Sequence, residues 1–167
     1  MSPAEAPETF LEIKMGINPG HPHALLQKKA PDLECTMVQT GRPVKLSDIT
    51  HNQRPTVVLF HTAWCGACQP AGRTMDAIAA HEFYAGRINV VLINIEGNAG
   101  TSGMFVEQNG ITSALALATT PESRRICHAE YGVKYIPHHT VIDGKTGNVV
   151  LNFDGDVSEA LDRLLRP

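Results

Sequence analysis

Two cysteines three residues apart stand in the stretch Trp64-Cys65-Gly66-Ala67-Cys68. Side chains at i and i+3 share one side of a helical turn, close enough for two sulfurs to bridge. The run Thr56 to His61 (TVVLFH) before them reads as a buried strand, and an amphipathic helical stretch follows them. That junction puts the pair at a helix N-terminus, where partial positive charge and unpaired N–H groups favour a thiolate. The chemistry expected is thiol–disulfide exchange. Cys65, at the exposed tip, attacks a disulfide; Cys68, one turn deeper, resolves the mixed disulfide by attacking Cys65. A redox-active Cys65–Cys68 disulfide does this work with no metal or organic cofactor.

The same residues have other readings. A Cys-x-x-Cys pair is also half of a zinc site, but structural zinc wants a second Cys/His pair at short spacing, and Cys35 and Cys127 are isolated. Those two read as core-filling thiols. A sharper alternative is a copper or zinc binding module built from Cys65, Cys68 and a nearby histidine, His138. An imidazolium at His138 would also favour the Cys65 thiolate. Strand alternation sends His138 and His139 to opposite faces, so at most one of them approaches the sulfurs. His61 reads as an ordinary surface or core residue.

Around the pair, the elements follow from periodicity and turn chemistry. Leu33–Val38 and Val44–Leu46 read as short strands about the turn Gly41-Arg42-Pro43, with Ser47-Asp48 capping a single helical turn. A helix starts near Cys65 or Gly66 and tolerates Pro70 with a slight kink. Ile88–Ile95 is a second buried strand, Ser102–Gln108 a short helix and Ala114–Leu117 a small strand. Thr120 caps a helix with Pro121 at its first position, running to Tyr131 and stopping at Gly132. His138–Ile142 and Asn148–Phe153 form a hairpin about Asp143–Gly147, and Asp156 with Glu159 opens a last helix. The order predicts an α/β fold with helices on both faces of a mixed sheet, parallel in its middle and antiparallel at one edge.

The chain of 167 residues is 43% apolar, enough for one continuous core, and its net charge is -3. No basic excess points to nucleic acid, and no apolar run approaches the roughly 20 residues of a membrane span. Five prolines within the first 31 residues (Pro3, Pro7, Pro19, Pro22, Pro31) mark residues 1–30 as an extended N-terminal arm. Phe10, Leu11, Ile13 and Met15 are expected to pin it to a domain spanning 31–167. The N-terminus lacks a basic region followed by an apolar run, so a cytoplasmic protein is expected, or a periplasmic or secreted one if the chain is a trimmed mature form.

Trp64-Cys65-Gly66-Ala67-Cys68 between strand and helix, with Tyr135-Ile136-Pro137 ahead of a later strand, resembles the thioredoxin-like superfamily. The upstream stretch Ala30–Leu33 and Gly41–Asp48 is similar to the TlpA/ResA-like branch of thiol–disulfide oxidoreductases, which also carries an insert before the cis-proline, here at 97–130. The resemblance implies a thioredoxin-like fold and a cis peptide at Pro137. It implies substrate contacts at Trp64, Gly66, Ala67, Ile136 and Pro137, with Ile136 offering backbone groups. Protein disulfide substrates, an upstream dithiol reductant and a monomeric chain acting as reductant go with it. Thioredoxin itself has a buried Asp on the strand before the motif; the matching residue here is Leu59. Glu96 or water is therefore expected to take the Cys68 proton. Thr62 and Cys65 echo the peroxidatic motif of peroxiredoxins, but Val58 stands where that motif has proline, and the second thiol makes dithiol exchange the easier chemistry.

Overall fold

The computed structural model describes residues 20–167. A seven-stranded sheet in the order β2-β1-β5-β4-β3-β6-β7 forms its centre. Its strands are β1 (Glu34–Met37), β2 (Pro43–Lys45), β3 (Thr56–His61), β4 (Asn89–Asn94), β5 (Leu115–Thr119), β6 (His138–Ile142) and β7 (Val149–Asn152). All six residues of β3 are buried, as a β-branched and aromatic run covered on both faces requires. β3 runs parallel to β4, and β4 parallel to β5. β6 and β7 continue antiparallel on one side, while β1 and β2 do so on the other. The sheet is thus antiparallel at both edges rather than at one. Strands joined by tight turns must pair antiparallel, and the two hairpins dock on opposite margins of the helix-linked centre, a choice that local periodicity does not specify.

Five α-helices lie among the described residues: α1 (Leu46–Thr50), α2 (Cys68–Ala80), α3 (Ala99–Gln108), α4 (Pro121–Ala129) and α5 (Val157–Leu165). Side chains alternate across the strands and feed two cores. Val57 and Leu59 join Cys68 and Met75 of α2, Phe105 of α3 and Leu161 of α5. Val58 and Phe60 join Leu46 of α1, Cys127 of α4, Leu25 and Tyr131 on the opposite face. Helices cover both faces, as expected, and residues 97–130 hold α3, β5 and α4.

Caps account for the helix limits. Asn98 Oδ1 accepts the N–H groups of Gly100 and Thr101 at 2.9 and 3.1 Å, which starts α3 three residues before the expected Ser102. Thr120 Oγ1 accepts the Ser123 N–H at 3.2 Å, and Asp156 Oδ1 accepts that of Glu159 at 3.0 Å. α4 stops at Ala129, short of Tyr131, and Gly132 follows in the left-handed region at φ +68°. A Cβ there would lie 2.7 Å from the Gly20 carbonyl oxygen and the Pro22 nitrogen, so only glycine fits.

Within the stretch expected as an arm, residues 20–30 carry structure. Pro22–Leu25 forms a 3-10 turn with Leu25 buried, and the following residues pair with β7 through Gln27 N–H to Val149 O (2.8 Å) and Val149 N–H to Lys28 O (2.9 Å). This segment covers an otherwise open sheet edge. Phe10, Leu11, Ile13 and Met15 lie outside the described residues. Among the described residues no helix is long and apolar enough to cross a membrane.

Candidate active site

β3 ends at His61, and the chain turns through Thr62–Ala67 before α2 begins at Cys68. The regular helix therefore opens two to three residues later than the expected start near Cys65 or Gly66. The Cys68 N–H bonds back to the Cys65 carbonyl at 3.2 Å and that of Gln69 to the Gly66 carbonyl at 3.4 Å, a tighter i+3 turn that leads into the helix. Pro70 falls at the third helical position, where no intrahelical partner awaits an N–H, so it removes no hydrogen bond.

Cys65 and Cys68 are both free thiols. The Cys68 N–H also points at the Cys65 sulfur, 3.2 Å away, a donor that a thiolate accepts better than a thiol does. Across the cleft the Ile136 carbonyl oxygen lies 3.9 Å from the same sulfur. The Ile136–Pro137 peptide bond is cis. Cys65 is only 7% exposed, less open than the tip position suggested, because the loop ending in Pro137 closes on it. Cys68 is fully buried; burial and its hydrogen bond to Cys65 push its thiol up, while the Thr62 backbone N–H pulls the other way. Cys68 is thus a protonated thiol until Cys65 is consumed, and it must lose that proton to act.

The flanking residues divide. Trp64 is 53% exposed beside the motif, and its Nε1–H donates to Glu96 Oε1 at 3.1 Å. Glu96 is itself exposed, so it holds the indole instead of meeting the buried Cys68 thiol, which corrects its expected part as proton acceptor. Gly66 and Ala67 are exposed at the turn, and a Cβ on Gly66 would meet nothing within 4 Å, which leaves room for a substrate chain. Leu59 is fully buried in the core that holds both cysteines, so that position supplies no carboxylate.

His138 is the largest departure. Its register partner is Phe60, and it packs edge-on against that ring at 5.5 Å, on the sheet face opposite the cysteines. Its Nε2 meets Asn152 Oδ1 at 2.7 Å, and burial lowers its pKa to about 4, so the ring is neutral. It is therefore neither an imidazolium near Cys65 nor a third ligand with Cys65 and Cys68. Among the described residues no group of three or more His, Cys, Asp or Glu is placed to hold a metal ion. His139, paired with Leu59, shares the cysteine face. Cys35 and Cys127 are buried in the other core; burial raises the Cys35 thiol to about 11.

His61, read as a surface or core residue, is a core one: it is buried on the cysteine face, stacked on Phe105 at 4.2 Å, with its pKa lowered by burial to about 4. Period-two alternation with Val57 and Leu59 would have found its face. Asn152, which carried no local signal, is fully buried: Oδ1 accepts from His138 and Thr140, and Nδ2 donates to the carbonyls of Pro22 and Tyr131.

The AhpC/TSA family profile matches residues 26–151. A thioredoxin of Streptomyces clavuligerus is 29% identical over 121 residues, covering 72% of this chain and 82% of that protein. A thiol-disulfide oxidoreductase from Bacteroides fragilis superposes with a TM-score of 0.68 at 15% identity, over 83% of this chain and 100% of the other. A protein of Chlorobium tepidum described as the thiol:disulfide interchange protein DsbE does so at 0.62 and 27% identity, over 89% and 96%.

Proposed function

The chain belongs to the AhpC/TSA family and is a thiol–disulfide oxidoreductase of thioredoxin-like fold; from that premise we propose that it reduces disulfides in protein substrates through Cys65 and Cys68. One observation carries the reading: a free Cys65 sulfur held between the Cys68 N–H and the Ile136 carbonyl, with a second, protonated thiol one turn behind it.

The Cys65 thiolate attacks one sulfur of a substrate disulfide. A Cys65–substrate disulfide forms, and the other substrate sulfur leaves as a thiolate. Cys68 then loses its proton and attacks the Cys65 sulfur; the Cys65–Cys68 disulfide forms and the second substrate thiol is released. The substrate gains two electrons and the protein loses two, and an upstream dithiol restores the reduced pair. During the first step the substrate backbone lies along Ile136 and Pro137, with Trp64, Gly66 and Ala67 on the opposite bank. Glu96 acts as a positioning residue for Trp64.

Cys68→Ser blocks the second step and leaves the first intact. The reduced variant, mixed with a disulfide-containing protein, is expected to accumulate a mixed disulfide at Cys65, seen as a mass shift that dithiothreitol reverses. Reduced Cys68→Ser that forms no adduct under conditions where Cys65 still reacts with a small disulfide reagent would sink the protein-substrate reading.

A further inference from the structure

Cys68 must shed a proton before it attacks, and a buried, unused nitrogen lies close by. His61 closes β3 on the cysteine face and is 2% exposed. Its Nδ1 is buried with no hydrogen-bond partner, a state that is rare in a core and calls for a reason. A neutral imidazole has one ring nitrogen as donor and the other as acceptor. Burial keeps this ring neutral down to about pH 4, so an acceptor lone pair is available at neutral pH.

Three contacts place the ring beside Cys68. The Thr62 backbone meets both side chains: its N–H donates toward the Cys68 sulfur, and its peptide group also favours a proton on the His61 ring. The ring stacks on Phe105 with centroids 4.2 Å apart. A Cβ on Gly72 would fall 2.9 Å from that Phe105 ring, and Gly72 is one turn after Cys68 on the same side of α2. His61, Phe105 and the Cys68–Gly72 stripe thus pack as one group. The titratable groups on this face are Cys65, Cys68 and, from β6, His139, which pairs with Leu59. β4 brings Asn94 beside His61, its amide taken up by Ser102 and Thr101 of α3 and by the Glu96 N–H. α5 brings the apolar Leu161.

We propose that His61 Nδ1 accepts the Cys68 proton in the second step of exchange, the part that Leu59 cannot play. The proposal rests on the exchange reading above and adds a residue to it. As Cys68 attacks, its S–H electron pair becomes the Cys65–Cys68 bond and the proton moves to Nδ1. The Cys65–substrate bond breaks, and its electron pair leaves with the substrate thiolate. That thiolate takes the proton from the imidazolium, so the ring ends neutral. Capture of Cys65 by substrate also removes the Cys65 hydrogen bond and charge that hold the Cys68 proton, which lets a weak base take it.

The test mixes reduced full-length protein with excess dithiobis-nitrobenzoate, an aryl disulfide whose thiolate is coloured. One thiolate is released as Cys65 is capped, and a second as Cys68 displaces the cap. Mass spectrometry identifies the product as the adduct-free disulfide. The second, concentration-independent rate is read from about pH 5 to about pH 8. In the wild-type protein it is expected to vary less than about threefold over that window. In His61→Phe hydroxide must take the proton, so the rate should be about tenfold or more lower near neutrality and rise about tenfold per pH unit. His61→Gln keeps a polar group but cannot hold the proton, and should show the same slope. The first release reports a folded site in each variant. A lowered rate with the wild-type pH dependence means a structural part for His61 and overturns the proposal, as does an unchanged rate in both variants. The steep slope appearing in Thr62→Val instead would overturn it too, moving the acceptor to that buried, unpartnered hydroxyl. A wild-type protein without any second release overturns the exchange reading itself; a second release indifferent to His61 overturns this inference alone.

Discussion

His61 and His138 are neutral imidazoles held in two different cores, and both have the same linkage sign. Burial lowers each pKa to about 4 in the folded protein, against an ordinary value of about 6.5 when the chain is unfolded. Between those values the unfolded chain binds more protons, so stability is fully present above about pH 6.5 and falls as pH drops toward 4. His61→Phe keeps a ring stacked on Phe105 and removes one of the two groups. Urea unfolding midpoints measured across that window should fall less steeply for the variant, by up to about 1.4 kcal/mol per pH unit. An unchanged slope would mean that His61 takes up its proton while folded. Cys68 belongs to the same scale: its protonated, fully buried thiol needs a proton acceptor, and neither Leu59 nor Glu96 provides one.

At the scale of elements, Asn152 at the end of β7 ties four segments through one amide. It joins His138 and Thr140 of β6, the Tyr131 carbonyl after α4, and the Pro22 carbonyl of the N-terminal segment. Because His138 directly follows Pro137, the amide also anchors the strand next to the loop that faces the Cys65 sulfur. Truncation in Asn152→Ala leaves several buried polar groups without partners, each costing about 1–3 kcal/mol. A loss of about 3 kcal/mol or more in urea unfolding is expected, with amide exchange at Leu25–Gln27 accelerated more than at β3. Uniform acceleration through the sheet would count against the amide as the specific tie of the N-terminal segment. A close approach of helices supports the other core: a Cβ on Gly72 would fall 2.9 Å from the Phe105 ring, which is itself pinned by His61.

For the whole molecule the open quantity is the direction of electron flow, because the potential of the Cys65–Cys68 couple sums every contact that favours the dithiol over the disulfide. A cytoplasmic reductant requires a value near the roughly -270 mV of thioredoxin, whereas an oxidant lies near about -120 mV. Equilibration in glutathione buffers, with the free thiols quantified at each ratio, is expected to give the lower value. A potential near the upper one would reverse the proposed direction of exchange.

The sequence by itself determined much of this: the strand–Cys-x-x-Cys–helix junction, the helix caps at Thr120 and Asp156, the hairpins and the Ile-Pro segment are local patterns whose causes lie within a few residues. Period-two alternation even separated His138 from His139, though not which of them faces the sulfurs. That depended on β6 pairing with β3 in the register Phe60↔His138, and register is a contact between residues 78 apart in the chain. The same holds for the antiparallel strands at both sheet edges, the amide of Asn152 and the stacking of His61 on Phe105. Each is made by groups distant in sequence, brought together only when burial of two apolar faces selects one arrangement of the strands.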